Sequence, residues 1–111
     1  MKNNQIETNI FSLLSDEINQ KLSSLNITTP TKVQTEIIPQ ILEGKNVIFQ
    51  SETGTGKTFA YLLPLINKLE KKEDTPSPQI IIIAPTFELA SQINSAVKSI
   101  TAKKSSLLIG G

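Results

Sequence analysis

Residues 51–58 read Ser-Glu-Thr-Gly-Thr-Gly-Lys-Thr, directly behind the apolar run Val47-Ile48-Phe49. A phosphate-wrapping loop needs Gly where backbone N–H groups turn inward, because a side chain there would block the anion. It needs a Lys to reach the outer phosphates, then a Ser or Thr whose hydroxyl holds Mg2+. Gly54, Gly56, Lys57 and Thr58 meet these needs, which makes Lys57 and Thr58 the candidate catalytic residues and Thr58 the candidate Mg2+ ligand. Ser51 stands where the strictest spelling has Gly, and its side chain is small enough for the same geometry. Glu52, Thr53 and Thr55 complete the loop. Glu52 is expected to face away or bond locally, since phosphates repel a carboxylate. A Gly-Thr-rich turn carrying a surface Lys is the alternative reading, and the flanking elements decide against it.

Those elements follow from periodicity. Residues 1–10 are polar and Asn-rich, and are expected to be poorly ordered. Ser15 reads as a helix cap ahead of Asp16 and Glu17, with Ile18, Leu22 and Leu25 at helical spacing. After Thr28-Thr29-Pro30-Thr31, a second helix carries Val33, Ile37, Ile38 and Ile41, kinked at Pro39 and stopped by Gly44. Residues 46–50 predict a strand covered on both faces. The Gly-rich loop follows it, then a helix with Phe59, Leu62, Leu63 and Ile66 on one face and a kink at Pro64. A charged, Pro-rich surface loop spans 70–79. A second buried strand, 80–84, leads into a helix with Leu89, Ile93, Val97 and Ile100, and a third strand is expected at 106–109. Alternating strands and helices predict an α/β fold, a parallel sheet with flanking helices. Three strands and two crossover helices leave open sheet edges, so residues 11–111 read as the front portion of a larger domain.

Composition excludes several functions. The chain has 111 residues, 38% of them hydrophobic, enough for one modest core. It has no Cys and no His, which rules out thiolate zinc sites, Cys nucleophiles and Ser-His-Asp triads within it. Net charge is +1, so no whole-chain field marks a polyanion partner, although local patches can serve. No apolar run approaches the roughly 20 residues of a membrane helix, nor does the start resemble a signal peptide. A soluble cytoplasmic protein is the expectation.

A P-loop alone does not separate ATPases, GTPases, kinases and transporters; the flanking residues do. Pro30-Thr31-Lys32-Val33-Gln34, followed by Ile38-Pro39, resembles the Q motif of the DEAD-box RNA helicases. SETGTGKT is similar to their motif I, and Ala84-Pro85-Thr86-Phe87-Glu88-Leu89-Ala90 is similar to their motif Ia. Gly110-Gly111 falls where that family has its next RNA-facing Gly pair. The resemblance implies an incomplete RecA-like P-loop domain that binds ATP and Mg2+. It implies Gln34 as the adenine reader, since an amide both donates and accepts and so matches the N6 and N7 edge. A solvated helix Gln is the alternative. Phe11 is a candidate to lie against adenine, with a core Phe as the equal alternative. Pro85, Thr86, Gly110 and Gly111 are the implied RNA contacts, with Lys103-Lys104 either a nearby cation source or a solvated loop.

Two positions depart from the family pattern. Asn26-Ile27 replaces a Gly-aromatic pair, and Phe87 replaces the motif Ia Arg that helps to fix RNA phosphates. A phenyl ring makes no charge-assisted bond to phosphate. The resemblance implies an ATP-dependent RNA helicase acting with little sequence specificity, completed by a second RecA-like domain. The acidic Asp-Glu-Ala-Asp motif and the arginine fingers are not among these residues, so the chain alone is expected not to hydrolyse ATP. The alternatives are a fragment of a P-loop DNA translocase and a non-catalytic nucleotide-binding module.

Overall fold

Hydroxyl side chains decide where most helices of this chain begin. The computed structural model describes residues 9–51, 56–70, 76–103 and 105–107. A 3-10 turn at Ile10–Leu13 is followed by α1 (Asp16–Ser24), α2 (Lys32–Leu42), α3 (Lys57–Glu70) and α4 (Phe87–Ile100). Ser15 Oγ accepts from the Ile18 amide at 3.2 Å, and Asp16 and Glu17 sit in the first turn, favourable against the helix dipole. Thr31 caps α2 and Thr86 caps α4, each through its hydroxyl. α3 follows Gly56, which has no side chain to offer.

The ends of α1 and α2 share one design. At Gly44, with φ +85°, the Gly44 amide donates to Ile41 O at 2.9 Å and the Lys45 amide to Gln40 O at 3.0 Å. Asn26, with φ +61°, makes the same pair of bonds, its amide to Ser23 O at 3.0 Å and the Ile27 amide to Leu22 O at 2.8 Å. The turn ahead of the Q-like motif therefore forms without Gly, and Ile27 packs partly buried against the core. Asn is among the few side chains that visit the left-handed region, at a penalty Gly avoids. Asn26→Gly is expected to stabilise the chain by about 1 kcal/mol, seen as a rise in Tm. A lower Tm would mean that the Asn side chain itself supports the turn.

Pro39 and Pro64 lie inside α2 and α3, and both helices continue through them as single elements. Each removes one i→i−4 bond without ending its helix. α2 packs along α3, and α1 and α4 close the core from the other side. Ile18 and Leu22, Ile38, Leu62, Leu63 and Ile66, and Ile93 and Ile100 meet there. Ile37 and Ile41 form a second cluster with Ala60. Asn67, 2% exposed, accepts from the Ser15 amide at 2.7 Å and so ties α3 to the start of α1. Ordered structure begins earlier than composition suggests: Asn9 caps the 3-10 turn and donates to Thr28 O at 3.0 Å.

The expected strands are where the structure differs most. Among the described residues no strand is formed. Val47 and Phe49 pack inward while Ile48 is exposed; Ile82 and Ala84 pack inward while Ile81 and Ile83 are exposed. This is the two-residue alternation of extended backbone, with one face covered by the described helices. A ladder needs a neighbouring segment to take its N–H and C=O groups, and the described helices cover a single side. The third expected strand lies partly outside the described residues. Leu25 and Leu89 also depart from their stripes and are exposed. Leu25 is the cap residue, past the end of α1, and Leu89 sits one turn short of the core contact made by Ile93.

Candidate nucleotide-binding site

The start of α2 and the start of α3 meet at one side chain, Gln34. Its Oε1 accepts from the Thr31 amide at 2.9 Å, while the Thr31 hydroxyl accepts from the Gln34 amide at 3.2 Å, a reciprocal capping box. Its Nε2 donates to Gly56 O at 3.1 Å, across to the phosphate-loop end. Gln34 is 3% exposed, so it is held from both sides. An amide has two N–H groups and two lone pairs on oxygen, and these bonds use one of each. Among the described residues one donor and one acceptor remain, the number an adenine N7 and N6 edge requires.

Gly56 has φ +82°, a conformation that favours glycine. A Cβ there would stand 2.5 Å from Gln34 Nε2 and 3.0 Å from Thr31 Cγ2. Gly56 O accepts from the Ala60 amide at 3.1 Å, the first intrahelical bond of α3. In any α-helix the amides ahead of that bond lack helical partners. In α1, α2 and α4 a cap hydroxyl takes one of them; at α3 there is no cap side chain to compete with an anion.

Lys57 and Thr58 are the first residues of α3. Lys57 is exposed, and its Nζ donates to Ser51 O at 3.2 Å, spanning the two ends of the loop. Burial pushes the Tyr61 phenol above its ordinary pKa, and a hydrogen bond with the Thr58 hydroxyl one turn earlier partly offsets this. Thr31, Gln34, Ser51, Gly56, Lys57 and Thr58 thus form one constellation. Glu52, Thr53, Gly54 and Thr55 lie outside the described residues, as do Gly110 and Gly111. Phe11 is placed apart: it is 3% exposed in the main core, with its carbonyl accepting from Asn19 Nδ2 at 2.9 Å. Pro85 and Thr86 are exposed at the start of α4.

The sequence reading missed that Gln34 builds the helix before it can read a base. The signal was available, because Thr31-x-x-Gln34 spells a capping box. The contact from Gln34 to Gly56 had no such signal, since it joins residues 22 positions apart.

An apolar extended segment, a Gly-rich loop ending in Lys-Thr and a helix make up the arrangement of P-loop nucleotide-binding domains. The DEAD/DEAH box helicase profile matches residues 31–111, and the chain belongs to that family. It is 48% identical over 84 residues to the DEAD-box ATP-dependent RNA helicase CshC of Bacillus cereus, covering 73% of this chain and 21% of that protein. It is 40% identical over 91 residues to the RNA helicase CrhR of Synechocystis sp., covering 82% of this chain and 18% of that protein. The crystal structure of a DEAD box protein from the hyperthermophile Methanococcus jannaschii matches with a TM-score of 0.72 at 32% identity, over 83% of this chain and 25% of that one. The chain thus spans about a fifth of the length of the curated relatives it matches. No described helix is long and apolar enough to cross a membrane.

Proposed function

We propose that this chain is the ATP-binding front of the first RecA-like domain of an RNA helicase. That enzyme couples ATP binding and hydrolysis to RNA duplex unwinding or ribonucleoprotein remodelling. The observation that supports this reading is the bond from Gln34 to Gly56, which sets the Gln34 amide against the residue that precedes α3. Gln34 offers its remaining donor and acceptor to adenine. Ser51, Glu52, Thr53, Gly54, Thr55 and Gly56 are nucleotide-binding residues, Lys57 takes the β- and γ-phosphates, and the Thr58 hydroxyl ligates Mg2+. Bound Mg2+ would neutralise charge on the β- and γ-phosphate oxygens. Phe11, the candidate to lie against adenine, is packed in the core cluster. Pro85, Thr86, Gly110 and Gly111 face RNA, a second RecA-like domain completes the site, and the protein works in the cytoplasm. These residues by themselves bind nucleotide without hydrolysing it, the water-orienting carboxylates being supplied elsewhere in the whole protein.

The test uses the protein encoded by the complete reading frame. Its ATP hydrolysis should rise with single-stranded RNA and not with DNA of the same sequence. Equal stimulation by DNA favours a DNA translocase, and ATP binding without turnover favours a non-catalytic module. Gln34→Ala should erase the preference for ATP over GTP. Gln34→Glu separates the two roles of the residue: it keeps an acceptor for the Thr31 amide and therefore the cap, but has no N–H for Gly56 or for adenine. It should retain the wild-type helix content and still lose the ATP preference. A preserved preference in both variants removes Gln34 from base recognition.

A further inference from the structure

Tyr61 lies on α3 one turn past Thr58, and its phenol shares a hydrogen bond with the Thr58 hydroxyl. Helical geometry brings the pair together. Long side chains on a helix lean back over the turn before their own Cα, so residues three apart meet. The Tyr61 ring is also clamped. Among the described residues it is the one partly buried hydrophobic side chain packed against both core clusters. One cluster contains Ile37 and Ile41 of α2; the other contains Ile38, Leu62 and Leu63. The phenol oxygen is therefore presented to Thr58 from a ring with little freedom to move.

A half-buried phenol needs a partner for its O–H, and Thr58 provides one. The consequence for Thr58 is larger. A threonine in a helix has two χ1 rotamers open to it, because its hydroxyl can bond back to the preceding turn. Thr35 of α2 does so, donating to Thr31 O at 3.0 Å. For Thr58, a partner on a clamped ring selects the rotamer that meets that ring. Mg2+ takes hard oxygen ligands at near-ideal octahedral positions, so the direction of each ligand matters. The Thr58 hydroxyl, half-buried in the first turn of α3 beside Lys57, is a ligand of that kind. With one lone pair given to a cation, it keeps one lone pair and one proton, and a neutral phenol can meet either. Groups behind a metal ligand set its orientation in this way.

We propose that Tyr61 is a positioning residue that holds the Thr58 hydroxyl toward the divalent cation carried by the nucleotide. The inference rests on the reading of Thr58 as the Mg2+ ligand and deepens it. Tyr61 acts through Thr58, so its phenol oxygen should matter to nucleotide affinity when Mg2+ is present and not otherwise.

The experiment measures the Kd of a non-hydrolysable ATP analogue for the full-length protein, in saturating Mg2+ and again in EDTA. By linkage, the ratio of the two constants reports how much more tightly Mg2+ binds the nucleotide on the protein than in solution. The ratio is taken within one variant, so a general loss of stability cancels. Tyr61→Phe removes one oxygen and keeps the ring. It should leave the Kd in EDTA unchanged and cut the Mg2+ advantage roughly 10-fold, the low end for a group behind a metal ligand. Thr58→Ala should cut that advantage at least as far, and adding Tyr61→Phe to Thr58→Ala should change nothing more. A wild-type Mg2+ advantage in Tyr61→Phe overturns the inference. So does an equal loss of affinity in Mg2+ and in EDTA, which makes the phenol a structural group, or strict additivity of the two substitutions. An undiminished Mg2+ advantage in Thr58→Ala overturns the Thr58 reading and this inference together. An advantage lost in Thr58→Ala but kept in Tyr61→Phe overturns this inference alone.

Discussion

Gly56→Ala is expected to disable nucleotide binding and to destabilise the chain, by more than a Gly→Ala change in an ordinary turn. Two effects add. The first is conformational: φ +82° places any L side chain in the left-handed region, at about 1–2 kcal/mol. The second is steric and particular to this site. The new Cβ would lie 2.5 Å from Gln34 Nε2 and 3.3 Å from Gln34 Cδ. The end of a flexible side chain usually moves aside cheaply. Gln34 does not have that freedom, because it is buried and its Oε1 is engaged by the Thr31 amide at 2.9 Å. Making room for the methyl group breaks the bond to Gly56 O, worth about 1 kcal/mol, and loosens the cap of α2.

The total should therefore reach about 2–4 kcal/mol, measured as loss of Tm or of denaturant midpoint. ATP affinity should fall further, since Gly56 and Gln34 are in direct contact and move together. The double variant Gly56→Ala with Gln34→Ala gives the sharper check. Removing Gln34 relieves the steric part and leaves the backbone part, so the two changes should be less than additive. Strict additivity would show that Gly56 and Gln34 do not communicate. A Gly56→Ala protein with wild-type Tm and ATP affinity would remove Gly56 from the site altogether.

The same pair of residues shows which features were legible in the sequence. Helix positions followed from local signals: Ser15 before two acids, Gly44 after an apolar stripe, and Ile37, Ile38 and Ile41 at helical spacing. Each depends on neighbours within four residues, which is the range over which side chains and helical backbone interact. The strands were less accessible. A run such as Ile80 to Ala84 is apolar throughout, so its composition does not tell one covered face from two. The structure covers Ile82 and Ala84 and leaves Ile81 and Ile83 exposed, a distinction made by distant helices. For the site, residue types and order pointed to a phosphate loop, whereas the pairing of Gln34 with Gly56 required the packing of α2 on α3. Phe11 illustrates the opposite case. An aromatic upstream of the Q-like motif suited adenine or the core equally, and only tertiary contacts put its ring among Ile18, Leu22 and Ile38.

Lys57→Ala should abolish ATP binding while leaving the fold intact, and this separation is what identifies a ligand-holding side chain. Lys57 is exposed, and its described partner is a neutral carbonyl, Ser51 O at 3.2 Å. An exposed ammonium bonded to a neutral acceptor adds little to stability, so the unliganded Tm should change by no more than about 0.5 kcal/mol equivalent. Against a triphosphate the same ammonium makes charge-assisted bonds, roughly twice as strong as neutral ones. Its loss would leave phosphate charge uncompensated at the start of α3. Truncating one partner of such a charge pair weakens binding by about 2–5 kcal/mol, or some 30- to 5,000-fold. The measurement is the rise in Tm that ATP produces in the full-length protein: wild type should rise with ATP concentration, and Lys57→Ala should stay flat. Lys57→Arg should also be impaired despite its charge, because a planar fork does not fit where a compact ammonium spans from the first turn of α3 to Ser51. Undiminished ATP affinity in Lys57→Ala would mean that the loop from Ser51 to Thr58 is not a phosphate site, whatever its spelling.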